Sequence, residues 1–330
     1  MSGSADFDCD TFIDYVQRQT IGGTIYHIAQ CRSVLQMLPE RCVEWLRKSF
    51  LSQHRWNLLL LARVAEINAT MRAAGREVIV LKGLPSAQEY YGQLAARQIG
   101  DLDLLIENPA DLFEFEQILA RLGYRRRSRI LGSRALMARY THHVEFEGLP
   151  APLDLHWVLR RHPSLRVDYS DLWRRKRRVS VRKVEFLVPP IEYELILQFL
   201  SLQNDIQLGV HRLKAFIDLY AMLKRVAGSL DWDSFFHDRQ TEGMLGISVN
   251  VLDLVLEVLE CRQEFPTLAQ PLESHRKRLV LSDFASKAAL LGGSGELHRR
   301  MWALRLYDIS AIRALWWWGL SLPFRLAEHR

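Results

Sequence analysis

Asp101 and Asp103 stand one residue apart in Ile99-Gly100-Asp101-Leu102-Asp103-Leu104-Leu105-Ile106. The leucines and isoleucines around them read as a short strand buried in a sheet. Side chains alternate faces along a strand, so both carboxylates point the same way. Two like charges on one face of an apolar strand repel, and they are costly to bury. A cation between them removes that cost, and oxygen ligands of this kind suit Mg²⁺ or Mn²⁺. A metal held in this way points to phosphate chemistry.

Three further features line up with the pair. Asp154, in Pro152-Leu153-Asp154-Leu155-His156-Trp157, is another acid inside an apolar strand. A strand beside the Asp-x-Asp strand would bring it to the same metal, as the third carboxylate of a two-metal site. There it would also help to deprotonate an attacking hydroxyl. Lys82-Gly83 follows the β-branched run Val78-Ile79-Val80-Leu81 and reads as a strand-to-helix turn. Glycine lets the backbone approach a phosphate, the helix start offers free N–H groups, and the lysine adds a point charge. Arg97 precedes the Asp pair and suits either a triphosphate or a nearby carboxylate. His142, His143 and His156 show no HxxxH or HxxE spacing that would support zinc; His156 reads as a structural histidine or a phosphate contact. Tyr90 and Tyr91 suit core packing or stacking on a base. The spacings of a Walker A loop, a Gly-x-Gly-x-x-Gly fingerprint and a Gly-x-Ser-x-Gly elbow are all absent.

The elements that must position these groups follow from the pattern. Apolar residues spaced as in a helix occupy 43–46 and 56–67, with Gly75 as a C-cap. A strand over 77–81, a short helix over 85–91 and the Asp-x-Asp strand over 99–106 come next. A helix over 110–122 ends at Gly123. Strands are expected at 140–146, at 153–157 and, as a pair, within 179–188, where Pro189-Pro190 closes the run. Beyond it, helices are expected over 191–202, 211–226, 232–240 and 247–259, with Asp231 or Ser229 as the N-cap of the third. The chain thus divides into an N-terminal helical segment (1–75), an α+β core (76–190) and a C-terminal helical domain with a tryptophan-rich tail (191–330).

The 330 residues carry a net charge of +6, much of it in Arg125–Arg129 and Arg174–Arg178. Such runs mark either solvated faces or a surface for an anionic partner. Cys9, Cys31, Cys42 and Cys261 lack zinc-like spacing and read as reduced thiols of a cytoplasmic protein. The acidic, polar start of the chain is unlike a signal peptide. Trp316-Trp317-Trp318 lies in an apolar stretch too short to span a bilayer. Packing on the helical domain, contact with a protein partner and a membrane interface are its three possible uses.

Together, Val80-Leu81-Lys82-Gly83, Tyr90-Tyr91-Gly92, Arg97 through Ile106 and Leu153-Asp154-Leu155-His156-Trp157 resemble the uncharacterised bacterial nucleotidyltransferases of the DNA polymerase β superfamily. The order is also similar to that of nucleotidyltransferase toxins of abortive-infection systems. Leu213 through Leu219 and Asp231-Trp232 extend the resemblance, which covers roughly 50–260. It implies a polymerase β-type core, a short mixed sheet with flanking helices, and two Mg²⁺ ions (or Mn²⁺) held by Asp101, Asp103 and Asp154. It further implies an NTP, ATP for example, held at Lys82, Gly83 and Arg97. The expected reaction moves an NMP from the NTP to a hydroxyl or phosphate and releases pyrophosphate. A small-molecule acceptor is favoured over tRNA or another nucleic acid, and a non-catalytic binding protein of the same fold is the remaining alternative. The chain departs from the pattern in two places. Lys82-Gly83-Leu84 replaces the superfamily's Gly-Ser turn, and Gln198 and Gln203 stand where histidines would be expected.

Overall fold

A computed structural model describes residues 7–127, 140–162, 164–208 and 213–275. Seven strands form one mixed sheet: β1 (Ile79–Val80), β2 (Leu102–Leu105), β3 (Arg125–Arg126), β4 (His143–Glu147), β5 (Leu153–His156), β6 (Arg177–Val181) and β7 (Val184–Val188). Their order across the sheet is β3-β4-β5-β2-β1-β7-β6. β2 runs parallel to β5, and β1 parallel to β7; the other neighbours are antiparallel.

The N-terminal helices are α1 (Cys9–Arg18), α2 (Gly22–Cys31) and α3 (Glu40–Ala73). Two helices interrupt the strands early, α4 (Leu84–Tyr91) and α5 (Leu112–Arg121), and α6 (Tyr169–Arg174) precedes β6. After the sheet come α7 (Ile191–Leu208), α8 (Leu213–Val226), α9 (Trp232–Thr241), α10 (Leu245–Val258) and α11 (Pro266–Ser274). This is the expected α+β architecture, a short mixed sheet between helical stretches.

Alternation along the strands divides the core in two. Leu102 and Leu104 of β2, and Ile106 just beyond it, pack with Leu153 and Leu155 of β5, and with Leu60, Val64, Ile67 and Met71 of α3. Those four α3 residues recur every three or four positions, so one stripe of the helix covers that face. On the other face, Ile79, Leu105 and Leu187 join the cluster built by α7, α8, α9 and α10. Asp103, Asp154 and His156 alternate with the α3-facing residues and so lie on this second face.

Several local expectations sharpen. Gly75 ends α3 with φ +70°, and Asp231 caps α9 by accepting from the Ser234 N–H. Arg182 and Lys183, both with positive φ, make the tight turn between β6 and β7. The strand expected over 77–81 reduces to Ile79–Val80, and β2 begins only at Leu102, so Asp101 lies in the bend before it.

One expectation is corrected: Cys9 and Cys42 are joined as a disulfide, and only Cys31 and Cys261 are free thiols. The packing of α1 across α3 brings their Cα atoms to 6.0 Å, a proximity that a 33-residue separation hides. Among the described residues, no helix is long and apolar enough to cross a membrane. Trp316–Trp318, Ser128 and Arg129 lie outside the described residues.

Candidate active site

The register of β2 against β5 sets Asp103 directly opposite Asp154. Both side chains therefore rise from the same face of adjacent parallel strands. His156, two residues on from Asp154, shares that face, and its Nε2 lies 3.3 Å from Asp103 Oδ1. Donor atoms of Asp103, Asp154 and His156 all fall within 4.8 Å of one another. Asp101 joins through Lys82, whose Nζ sits 3.2 Å from Asp103 Oδ2 and 3.8 Å from Asp101 Oδ2. The two carboxylates of the Asp-x-Asp thus converge on one ammonium, although Asp101 is half-exposed and Asp103 buried.

Electrostatics differ sharply across this cluster. Burial would raise the Asp103 carboxyl, but Lys82 and His156 hold it well below the usual carboxylate range. Asp154 is compensated only weakly, by His143: burial and the charge of Asp103 push it up to about 7. Burial lowers His156 to about 4, so its imidazole is neutral at pH 7. Burial opposes the charge on Lys82, yet Asp103 and Asp101 keep the ammonium firmly protonated. The donor set fits a divalent cation. Hard carboxylate oxygens from Asp103 and Asp154 lie within 4.8 Å of one another, Asp101 stands beside them across the Lys82 ammonium, and a positive charge already sits between two of the three acids.

Lys82 follows β1, and Gly83 turns the chain into α4 with φ +92°, a left-handed conformation that favours glycine. Pro85 occupies the first turn of α4, where its missing N–H costs nothing. A cleft of about 540 Å³ opens at this turn. Its walls include Lys82, Gly83, Arg97, Asp101, Arg18 from α1, and Gln198, Lys214 and Asp218 from α7 and α8.

Arg97 lines the cleft, but its Nε and Nη2 donate to Asp218 Oδ1 and Oδ2, each at 3.0 Å. Tyr91 Oη and Lys214 Nζ bind the same carboxylate at 2.6 and 3.0 Å. Tyr90 Oη donates to Glu194 at 2.5 Å, so both tyrosines anchor α4 to the C-terminal helices. Gln198 borders the cleft, whereas Gln203 is wholly buried.

Lys214, Arg18 and Asp218 escaped sequence reasoning. Lys214 and Asp218 read as ordinary members of an amphipathic helix, and nothing local separates them from surface charges. Their stretch belongs to the family resemblance and their i,i+4 spacing pairs them on one helix face, but neither signal gave them a role in the site.

No curated protein matches the chain. The solution structure of the antibiotic-resistance factor ANT(2'')-Ia is similar over 56% of this chain and 99% of its own, with 12% identity and a TM-score of 0.36, a likeness too slight to argue from. A family model described as "uncharacterised nucleotidyltransferase" matches residues 5–260, which include every site residue named above. The chain belongs to that nucleotidyltransferase family.

Proposed function

We propose that the protein moves an NMP from an NTP to an acceptor hydroxyl or phosphate, and that Asp101, Asp103 and Asp154 are its catalytic carboxylates. The observation that carries this reading is the in-register pairing of Asp103 with Asp154, beside a lysine-lined cleft. An acceptor oxygen attacks the α-phosphorus and forms a new P–O bond. The bond from the α-phosphorus to the bridging oxygen breaks, and pyrophosphate leaves with that electron pair. Asp154 takes the acceptor's proton. Mg²⁺ or Mn²⁺, when held by the three carboxylates, supplies positive charge against the charge developing on the phosphoryl oxygens. Lys82 and the Gly83 turn bind the triphosphate, with Lys214 and Arg18 across the cleft. Arg97, fixed by Asp218, orients that wall and adds charge to it.

A small-molecule acceptor is favoured over nucleic acid by the state of the second basic run. Arg174 and Arg175 pair with Asp171, Lys176 with Glu77, Arg177 with Glu89, and Arg178 with Glu185. A run neutralised residue by residue offers little to a phosphate backbone.

The test is incubation with each labelled NTP and total cell extract, followed by asking which fraction carries label. Wild type is expected to label a small-molecule fraction, and Asp101→Ala and Asp103→Ala to abolish labelling. Asp154→Asn should slow it on the order of 100-fold or more. Full incorporation by either alanine variant would overturn the assignment.

A further inference from the structure

The polar face of the sheet continues past the carboxylates. β4 and β5 are antiparallel, with His143 opposite His156 and Glu145 opposite Asp154. Cross-strand partners share a face. Four side chains of ligand type therefore form a two-by-two block next to Asp103. The rings of His143 and His156 stack with centroids 5.0 Å apart and planes at 22°. His142 closes on both, its ring 4.3 Å from that of His143 and 5.8 Å from that of His156. The His142 carbonyl accepts from the Trp157 N–H at 3.1 Å, which holds the residue against the end of β5. One donor atom from each of the three rings lies within 4.8 Å of the other two.

A second observation points to a ligand. His156 is only 7% exposed, and neither its Nδ1 nor its Nε2 has a hydrogen-bond partner. Its Nε2 faces the Asp103 carboxylate at 3.3 Å. A buried imidazole with no hydrogen bond at either nitrogen, and an acid beside one of them, has a lone pair to give to a metal ion.

We propose that His142, His143 and His156 form a binding site for a zinc-class transition-metal ion, adjoining the carboxylate site through His156 but built on nitrogen ligands. Imidazole nitrogen suits Zn²⁺, Co²⁺ or Ni²⁺ and is a poor match for Mg²⁺, which takes oxygen. With Zn–N bonds of about 2.0–2.1 Å, ligating nitrogens lie roughly 3–3.5 Å apart, so the three rings need only close slightly on an ion. The absence of an HxxxH spacing does not count against it, because that spacing is a rule for helices. Here the ligands meet through antiparallel register. The bound ion ties the start of β4 to the end of β5 and fixes His156 beside Asp103. This site does not depend on the transfer reaction.

The experiment uses full-length protein stripped by chelator and kept in excess Mg²⁺ so that the carboxylate site is occupied. Zn²⁺ is titrated by calorimetry, and Co²⁺ by its visible ligand-field absorption, with no nucleotide present. Wild type is expected to bind one equivalent. His142→Gln and His143→Gln should each weaken binding by about 10-fold or more, while Asp101→Asn should bind as wild type does. No Zn²⁺ binding by wild type, unchanged affinity in both histidine variants, or loss of Zn²⁺ in Asp101→Asn would each overturn the proposal. Should a histidine variant fail to fold, the wild-type Co²⁺ spectrum decides: without bands of nitrogen ligation, the site does not exist. Nucleotide incorporation by the same preparations is scored separately, so failure of the transfer reading and failure of this site are told apart.

Discussion

At the scale of single residues, Lys82 is the hinge of the site. Its ammonium lies 3.2 Å from Asp103 and 3.8 Å from Asp101, among the oxygens that would hold a divalent cation. Lysine and metal therefore compete for those oxygens, and a bound triphosphate gives the lysine somewhere else to go. Lys82→Met should act in opposite directions on two ligands. Mn²⁺ binding should tighten and NTP binding weaken, each on the order of tenfold, the equivalent of ~1.4 kcal/mol. Electron paramagnetic resonance follows the Mn²⁺ and calorimetry the nucleotide; if both affinities fell together, Lys82 would not be exchanging partners. The groups legible in the sequence were those whose type clashed with their surroundings: Asp101, Asp103 and Asp154 among leucines, and Lys82 after a β-branched run. Lys214 and Asp218 clash with nothing locally, and their importance comes from contacts with Arg97 and Tyr91 more than a hundred positions away. No single-sequence pattern carries such contacts.

At the scale of elements, the junction of α4 with α7, α8 and β6 is fastened by buried charge. Arg97 and Asp218 are each about 5% exposed and paired through two hydrogen bonds. Asp218→Ala leaves the guanidinium buried without its partner and should cost about 3–5 kcal/mol in denaturant unfolding; a loss within ordinary surface variation would mean that water replaces the carboxylate. Nearby, Arg177 of β6 is shared by Glu89 of α4 and Glu194 of α7, with Tyr90 also donating to Glu194. Burial pushes Glu194 up to about 7 despite the opposing pull of Arg177 and Tyr90. In the unfolded chain it returns to its ordinary value of 4.5. Between those values the unfolded state binds fewer protons than the folded one. This group's contribution is therefore complete below pH 4.5 and is lost as pH rises towards about 7. Unfolding midpoints of wild type and Glu194→Gln across that window should diverge by up to about 3 kcal/mol, wild type losing stability relative to the variant as pH rises. Parallel pH profiles would refute the shift. Long helices and the β6–β7 hairpin were readable, because periodicity of 3.6 or 2 persists there for several turns or residues. The two-residue β1 was over-extended, since the β-branched run continues into residues that the Lys82 turn already bends.

At the scale of the whole molecule, the question is how a net charge of +6 is distributed. Sequence alone presents two basic runs as one kind of feature. In the fold, described members of both runs meet acids that other elements bring. The run 174–178 meets Asp171, Glu77, Glu89, Glu192, Glu194 and Glu185, contributed by α6, α4, α7, β7 and the segment before β1. Of the first run, Arg126 pairs with Glu116 and Arg127 with Glu145. Lys82, Lys214, Arg97 and Arg18 line one cleft together with Asp101, Asp205 and Asp218, so these cations are placed to exchange carboxylate partners for a compact polyanion and not to track an extended one. Raising salt from 50 to 200 mM should therefore leave transfer to the labelled acceptor within a few-fold. A nucleic-acid acceptor contacted through six or more phosphates would lose about 10³-fold or more over the same interval. The measurement is the rate of label transfer from NTP to the extract fraction across that salt series, repeated with Arg174→Gln and Arg178→Gln. A steep decline in wild type that flattens in those variants would reassign the acceptor to nucleic acid. A shallow profile, insensitive to both substitutions, keeps it a small molecule bound where α1, α7 and α8 close on the Lys82 turn.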